Sequence, residues 1–249
     1  MSKHKEESTQ HIAVFCHLFY SNTYPGMVTR LKAIGALFSV DYFFNVVAGQ
    51  NNEVLMETIR KDFPQAYILT SPNIGKDVGG KLAMLELYRT LEINSSLMLF
   101  IHDKISPQML NGKKWSEELL KIIDPEKVQE IRDFFDKEPL TGLIGAKEHI
   151  SDEYRPETGM FDSLNNDLLR RYIRNFNLKN KTFSFIAGNM FWVRGSVFEN
   201  FFSLHTPLRL RSVLEAGNVD DTRQGTHTHA LERIFSWIAL DGGYTIKGV

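Results

Sequence analysis

The chain has 249 residues, 43% hydrophobic and 12% aromatic, with a formal net charge of −1. That is enough apolar mass for a sizeable core, and it leaves no electrostatic case for nonspecific nucleic-acid binding. A lone cysteine, Cys16, excludes an intramolecular disulfide and a cysteine-built zinc site.

Residues 1–10 are polar and read as a flexible N-terminus without the apolar stretch of a signal peptide. No later run approaches the roughly 18 apolar residues of a membrane span, so the expectation is a soluble cytoplasmic protein. Residues 11–20 read as a first strand. Residues 25–38 follow as a helix with Met27, Leu31, Ile34 and Leu37 on one face. Residues 40–48, rich in aromatic and β-branched side chains, are a second strand, and 51–63 a helix with Asn51 or Asn52 as its cap. A third apolar run, 66–70, leads into the glycine-rich turn 72–80. Helix 81–91 then crosses to a fourth run, 97–101, which ends in His102, Asp103 and Lys104. This alternation predicts a Rossmann-type α/β sandwich of three layers with a mostly parallel central sheet.

The second half is more mixed. Residues 115–121 and 125–137 are amphipathic helices, 141–146 a strand, and 148–157 a polar segment able to move over a site. Residues 162–175 carry a helix with Arg170, Arg171 and Arg174, a basic group that suits either a membrane surface or plain solvent. The strand-like run 182–193 is interrupted by Gly188-Asn189. A helix at 196–202, a polar stretch at 218–225, a helix at 227–240 and a short strand at 245–247 complete the chain. One domain over residues 11–249 is the simplest organisation.

Chemistry concentrates in four places. Glycines in the 72–80 turn allow close backbone approach, and a helix N-terminus favours anions, which together suit a phosphate-bearing ligand. The spacing matches neither the dinucleotide fingerprint nor the P-loop, so Gly79-Gly80 also reads as a tight turn. At the next strand end, Asp103 can hold Mg²⁺ or Mn²⁺ bridging a diphosphate while Lys104 neutralises charge; the alternative is a surface turn with a paired carboxylate. In the third place, Asn189 suits sugar hydroxyls and Trp192 or Phe191 a sugar ring, against a bulged core strand. In the last, Asp221, His229, Glu232 and Arg233 suit a general base with its partners, an arginine clamp on phosphate, or a structural ion pair.

Taken in order and spacing, these segments resemble the rhamnan-synthesis protein F family of bacterial polysaccharide glycosyltransferases. The matching residues are His17 with Tyr20, then Asn73, Gly75 and Asp77 as an Asn-x-Gly-x-Asp segment. His102, Lys104 and Ser106 match His-x-Lys-x-Ser, with Trp115 downstream; Ala187 to Trp192 and His229 to Arg233 supply the remaining signatures. The resemblance implies a GT-A-like fold. It also implies transfer of a sugar, often rhamnose, from a nucleoside diphosphate such as dTDP-rhamnose or a UDP-sugar. The acceptor would be a growing cell-surface glycan, lipid-linked where it is presented at the inner membrane face. Carried over, Asn73, Gly75 and Asp77 line the nucleotide pocket with His102 and Lys104 near the diphosphate, and His17, Lys76, Gly79 and Asp103 join them. Asn189 and Trp192 face sugar, and the base is drawn from Glu232, His229 and Asp221, with Arg233 beside them. A single carboxylate replaces the usual Asp-x-Asp, which leaves metal use open. The rival reading is a noncatalytic glycan- or nucleotide-binding module, since one fold hosts many functions. A dinucleotide oxidoreductase lacks its glycine fingerprint here.

Overall fold

The computed structural model describes residues 10–49, 52–103 and 112–249. Nearly all of the expected flexible N-terminus lies outside the described residues, as do Asn51, Lys104 and Ser106.

The first half is a regular alternation: β1 (His11–Leu18), α1 (Pro25–Ile34), β2 (Ser39–Val47), α2 (Asn52–Asp62), β3 (Tyr67–Ser71), α3 (Lys76–Thr90) and β4 (Leu97–His102). The second half contains α4 (Gly112–Leu120), α5 (Pro125–Lys137) and β5 (Thr141–Gly145). Four two-residue strands follow, β6 (Ile150–Ser151), β7 (Tyr154–Arg155), β8 (Met160–Phe161) and, beyond α6 (Asn166–Asn175), β9 (Phe185–Ile186). The chain closes with β10 (Phe191–Arg194), α7 (Gly195–Leu204), α8 (Pro207–Arg211), α9 (His227–Asp241) and β11 (Thr245–Gly248).

Seven strands form one sheet in the order β11-β5-β10-β4-β1-β2-β3, parallel except for β10, which runs antiparallel to β4 and β5. β1 and β4 lie in its middle with helices on both faces, which is why they read as unbroken apolar runs. Their alternation divides two cores. Ala13 and Phe15 pack toward α3, α7 and α9 with Leu82, Phe198 and Phe235, while Ile12, Val14 and Cys16 pack toward α1, α2 and α5 with Leu31, Ile59 and Ile131. α1 and α5 each start on a proline, which suits the first turn, and each buries three apolar residues at helical spacing. Across the first core, Tyr67, Phe43, Phe15, Phe100 and Phe191 pair strand by strand, with ring centroids 4.8, 5.1, 4.6 and 5.3 Å apart.

Three local expectations change. Helix α3 begins at Lys76, so Gly79 and Gly80 lie inside it rather than in a turn. Residues 148–157 are no loose segment: they contain β6 and β7, which pair with β9 and β8. Helix α8 was not signalled by periodicity, whereas the run 182–193 divides into β9 and β10 around Gly188-Asn189 as expected. Among the described residues no helix is long and apolar enough to cross a membrane.

Candidate functional site

Strand β1 has β2 and β3 on one side and β4 on the other, so the helical connections diverge at its C-terminal end. Open α/β sheets bind ligands in that crevice. Here the register sets a row of polar side chains one pleat beyond the aromatic row: Asn45 opposite His17, and His17 opposite His102. Asn189, two residues before Phe191, continues it.

The row is buried and braced from α3. Asn45 Nδ2 lies 2.8 Å from His17 Nδ1. Burial pushes the His17 imidazole down to about 4, so it is neutral at pH 7. The wholly buried Lys81 ammonium donates to Asp77 Oδ2 at 2.9 Å and to the Asn189 carbonyl, and stands 3.3 Å from His102 Nδ1. Asn189 Nδ2 donates to the same Asp77 oxygen at 2.8 Å. Burial alone would raise Asp77, but His102 and Lys81 beside it outweigh that and hold its carboxyl well below the usual range. The Oδ1 atoms of Asn45 and Asn189 are buried without a hydrogen-bond partner among the described residues, leaving two acceptors for a ligand hydroxyl or water.

A second group comes from the start of α9. Thr226 caps the helix, its Oγ1 accepting the His229 N–H and lying 2.5 Å from His229 Nδ1. Asn165, itself buried, accepts the Thr226 N–H through Oδ1 and donates to Asp221 at 2.8 Å through Nδ2. Burial lowers the His229 pKa, with Asp221 and Glu232 pulling upward and Lys76 and Arg233 downward. Glu232 accepts the Gly188 N–H at 2.7 Å with one oxygen and pairs with Arg233 at 3.1 Å through the other. Arg233 also binds Glu153 at 3.0 Å, which ties residues 148–157 down beside the helix. The two groups therefore meet at Gly188 and Asn189, both in the left-handed region at φ 82° and 55°.

Every predicted site residue except Lys104, which lies outside the described residues, now has a place. His17, Asp77, His102, Asn189, Asp221, His229, Glu232 and Arg233 belong to these two groups. Lys76 begins α3 at φ 51°, an uncommon conformation for a side-chain-bearing residue, and makes no hydrogen bond or ion pair among the described residues. Asn73 and Gly75 form the turn before α3, yet that turn is roofed by the chain. Leu214 fills the space where a Gly75 side chain would be, and Gly217 donates to the Asn73 carbonyl at 2.8 Å. Gly79 is a packing glycine, because a Cβ there would stand 1.7 Å from the Ile74 carbonyl oxygen. Trp192 corrects the sugar-stacking expectation. It is 0% exposed on the opposite face of the sheet and donates its indole N–H to Ile122 at 3.0 Å. Strand alternation requires this, since Phe191 and Val193 take the site face.

Asp103 is also committed elsewhere. Its oxygens accept from Phe19 N, Tyr20 N and Thr23 Oγ1, organising the loop after β1, while burial raises its pKa to about 6 against those hydrogen bonds. A divalent ion would have to displace those donors. No group of three or more His, Cys, Asp or Glu side chains able to hold a metal occurs among the described residues. Asp103 is therefore a loop-organising carboxylate in this structure.

Asn45, Glu153, Asn165, Glu215 and Thr226 were not anticipated. For Asn45 a signal existed: it is an amide in an apolar run, two residues after Phe43. A pocket of about 430 Å³ opens beside the ends of β1 and β2, lined by Ser21, Asn22, Tyr24, Pro25, Val54, Leu55 and Thr58.

The family model "Rhamnan synthesis protein F" matches residues 1–244. A curated relative, "Uncharacterized protein WxcX" of Xanthomonas campestris pv. campestris (strain B100), is 26% identical over 186 residues, covering 74% of this chain and 25% of its own length. Its counterpart in strain ATCC 33913 gives the same figures. The chain thus spans about a quarter of the length of the curated relatives it matches. Among solved structures, S. aureus TarS residues 1–349 overlaps at TM-score 0.43 and 11% identity, covering 93% of this chain and 55% of that one. The mannosyltransferase PcManGT from Pyrobaculum calidifontis, in complex with GDP-Man and Mn²⁺, overlaps at TM-score 0.41 and 10% identity, covering 98% and 55%.

Proposed function

The chain belongs to the rhamnan synthesis protein F family, and on that premise we propose that it is a GT-A-like glycosyltransferase acting from one domain. It moves a sugar, rhamnose in this reading, from a nucleoside-diphosphate donor such as dTDP-rhamnose or a UDP-sugar to a growing cell-surface polysaccharide. The observation that carries this is the meeting of the buried polar row with the His229 group at Gly188-Asn189, at the sheet edge where ligands bind.

An acceptor hydroxyl attacks the donor's anomeric carbon, the bond to the diphosphate oxygen breaks, and the hydroxyl proton passes to a base. His229 suits that role, because burial keeps its imidazole neutral near pH 7. Asp221 stands beside it as orienting carboxylate or alternative base. Glu232 has both oxygens engaged and serves to anchor the Gly188 turn. Lys76 would balance charge on the departing diphosphate, and Asn189 Oδ1, buried and without a partner among the described residues, would accept a sugar hydroxyl. The protein would act in the cytoplasm, peripherally at the inner membrane face where a lipid-linked acceptor is presented.

The test is a thermal-shift and transfer screen of nucleoside diphosphates and nucleotide sugars, each with and without Mg²⁺ or Mn²⁺. A ligand at 100 times its dissociation constant adds about 2.7 kcal/mol, a visible shift. His229→Asn should lower turnover by roughly 10²-fold or more while nucleotide binding persists. Nucleotide binding with no transfer would leave a noncatalytic binding module; neither binding nor transfer by folded protein would sink the proposal.

A further inference from the structure

Residues 214–217 lie against the turn before α3, and Glu215 also reaches the start of α9. Its backbone carbonyl accepts the Gly75 N–H at 2.7 Å. Its carboxylate accepts the His227 N–H at 2.6 Å, the Thr228 N–H at 3.0 Å and the Thr228 hydroxyl at 2.7 Å. One residue thus ties the turn before α3 to the first turn of α9. The segment is fixed on both flanks of Glu215. Leu214 packs into Gly75, Ala216 bridges to Ile74, and Gly217 donates to Asn73.

The carboxylate is well suited to this place. The first N–H groups of a helix have no partners within it, and its N-terminus carries partial positive charge. Burial alone would raise the Glu215 pKa, yet the donors on Thr228 and His227 outweigh it and hold the group below its usual range. The two ends being joined carry different parts of the proposed chemistry. Lys76 follows Gly75 directly, and His229 follows Thr228 directly. The Lys76 charge acts on His229, so the two lie within electrostatic reach.

We propose that Glu215 is a positioning residue that sets the placement of His229 on α9 relative to Lys76 on the diphosphate side. This rests on the glycosyltransferase reading. It divides labour within one residue: the carboxylate holds the α9 end, whereas the carbonyl, which any substitution retains, holds the Gly75 end.

The test is Glu215→Ala in this chain, with Glu215→Gln as the milder change. Measurements are kcat, donor KM, nucleoside-diphosphate affinity, and amide exchange at residues 226–231 and 73–77. The expected result is a kcat loss of about 10²-fold for Ala, the scale of a 1 Å misplacement. Glu215→Gln, keeping one acceptor oxygen, should fall between Ala and the parent. Nucleotide affinity should stay within about threefold, with faster exchange confined to 226–231. A kcat within twofold of the parent would overturn the proposal, as would equal losses of kcat and nucleotide affinity in step with loss of folded protein. If the parent protein transfers no sugar, the glycosyltransferase reading fails on its own. The exchange pattern then decides the link: local loosening of 226–231 upholds it, and unchanged protection there overturns it.

Discussion

The aromatic row from Tyr67 to Phe191 and the polar row from Asn45 to Asn189 cross neighbouring strands on one face of the sheet, a single pleat apart. The aromatic row needs nothing beyond its neighbours: rings stack across strands and bury apolar area. The polar row lies just as deep, and each of its groups must find a partner there. It recruits Lys81 and Asp77 from α3 and a strained turn at Gly188-Asn189 to do so. The α9 group differs again: Asp221, His229, Glu232 and Arg233 keep part of their surface, and His229 Nε2 makes no hydrogen bond among the described residues. Burial therefore separates residues that hold the fold from residues left able to react.

Breaking either row should be costly, but with different consequences. Phe15→Ala should destabilise by about 3–5 kcal/mol through cavity formation. Lys81→Met should cost a similar roughly 3–5 kcal/mol, because it strands Asp77 without its buried partner. Both are read by urea unfolding. Nucleotide-induced stabilisation should survive Phe15→Ala where the variant folds and vanish with Lys81→Met; equal survival in both would erase the distinction between the rows.

A pH titration sharpens the same contrast. His17 has a folded pKa of about 4 against an ordinary 6.5, so between those values the unfolded chain takes up a proton that the folded chain refuses. Its contribution is fully present above pH 6.5 and is lost as pH falls toward 4, about 3 kcal/mol at 1.36 kcal/mol per unit. Asp103, raised to about 6, works the other way: the folded protein takes up its proton first, so its burden is relieved on acidification. His17→Gln should therefore lose about 3 kcal/mol less than the parent between pH 7 and 4. Parallel stability curves would mean that His17 is not buried neutral.

Two smaller tests probe how each group is braced. Gly80→Ala would set a Cβ 1.9 Å from His17 Nδ1, and overpacking of this kind costs about 1–3 kcal/mol. Finding no loss in its melting midpoint would separate α3 from the polar row. Thr226→Ala removes the α9 cap and should cost about 1 kcal/mol. It should also move the acidic limb of the pH–turnover profile, where a general base becomes protonated, since Thr226 Oγ1 touches His229. Were the limb unmoved, His229 would not be the titrating base.

Much of the fold was legible because burial on both faces writes itself as apolar runs, as in residues 12–18 and 97–101. Proline placement at Pro25 and Pro125 likewise announced two helix starts. The site was legible as residue types in the right segments, but less so as roles. Gly79 and Gly80 looked like a turn because glycine signals punctuation. They occur inside a helix because Ile74 and His17 leave no room for a Cβ. Trp192 looked like a sugar platform, although its alternation with Phe191 already put it on the other face.

Local pattern, then, determined the seven strands of the main sheet, most helices and the segments that carry polar chemistry, since periodicity and capping act over a few residues. Tertiary structure alone decided that antiparallel β10 enters between β4 and β5, that Lys81 lies beneath Asn189, and that Glu215 joins two helix starts. Those contacts span from 12 to more than 100 residues of chain, and their strength depends on burial and distance that no local window records.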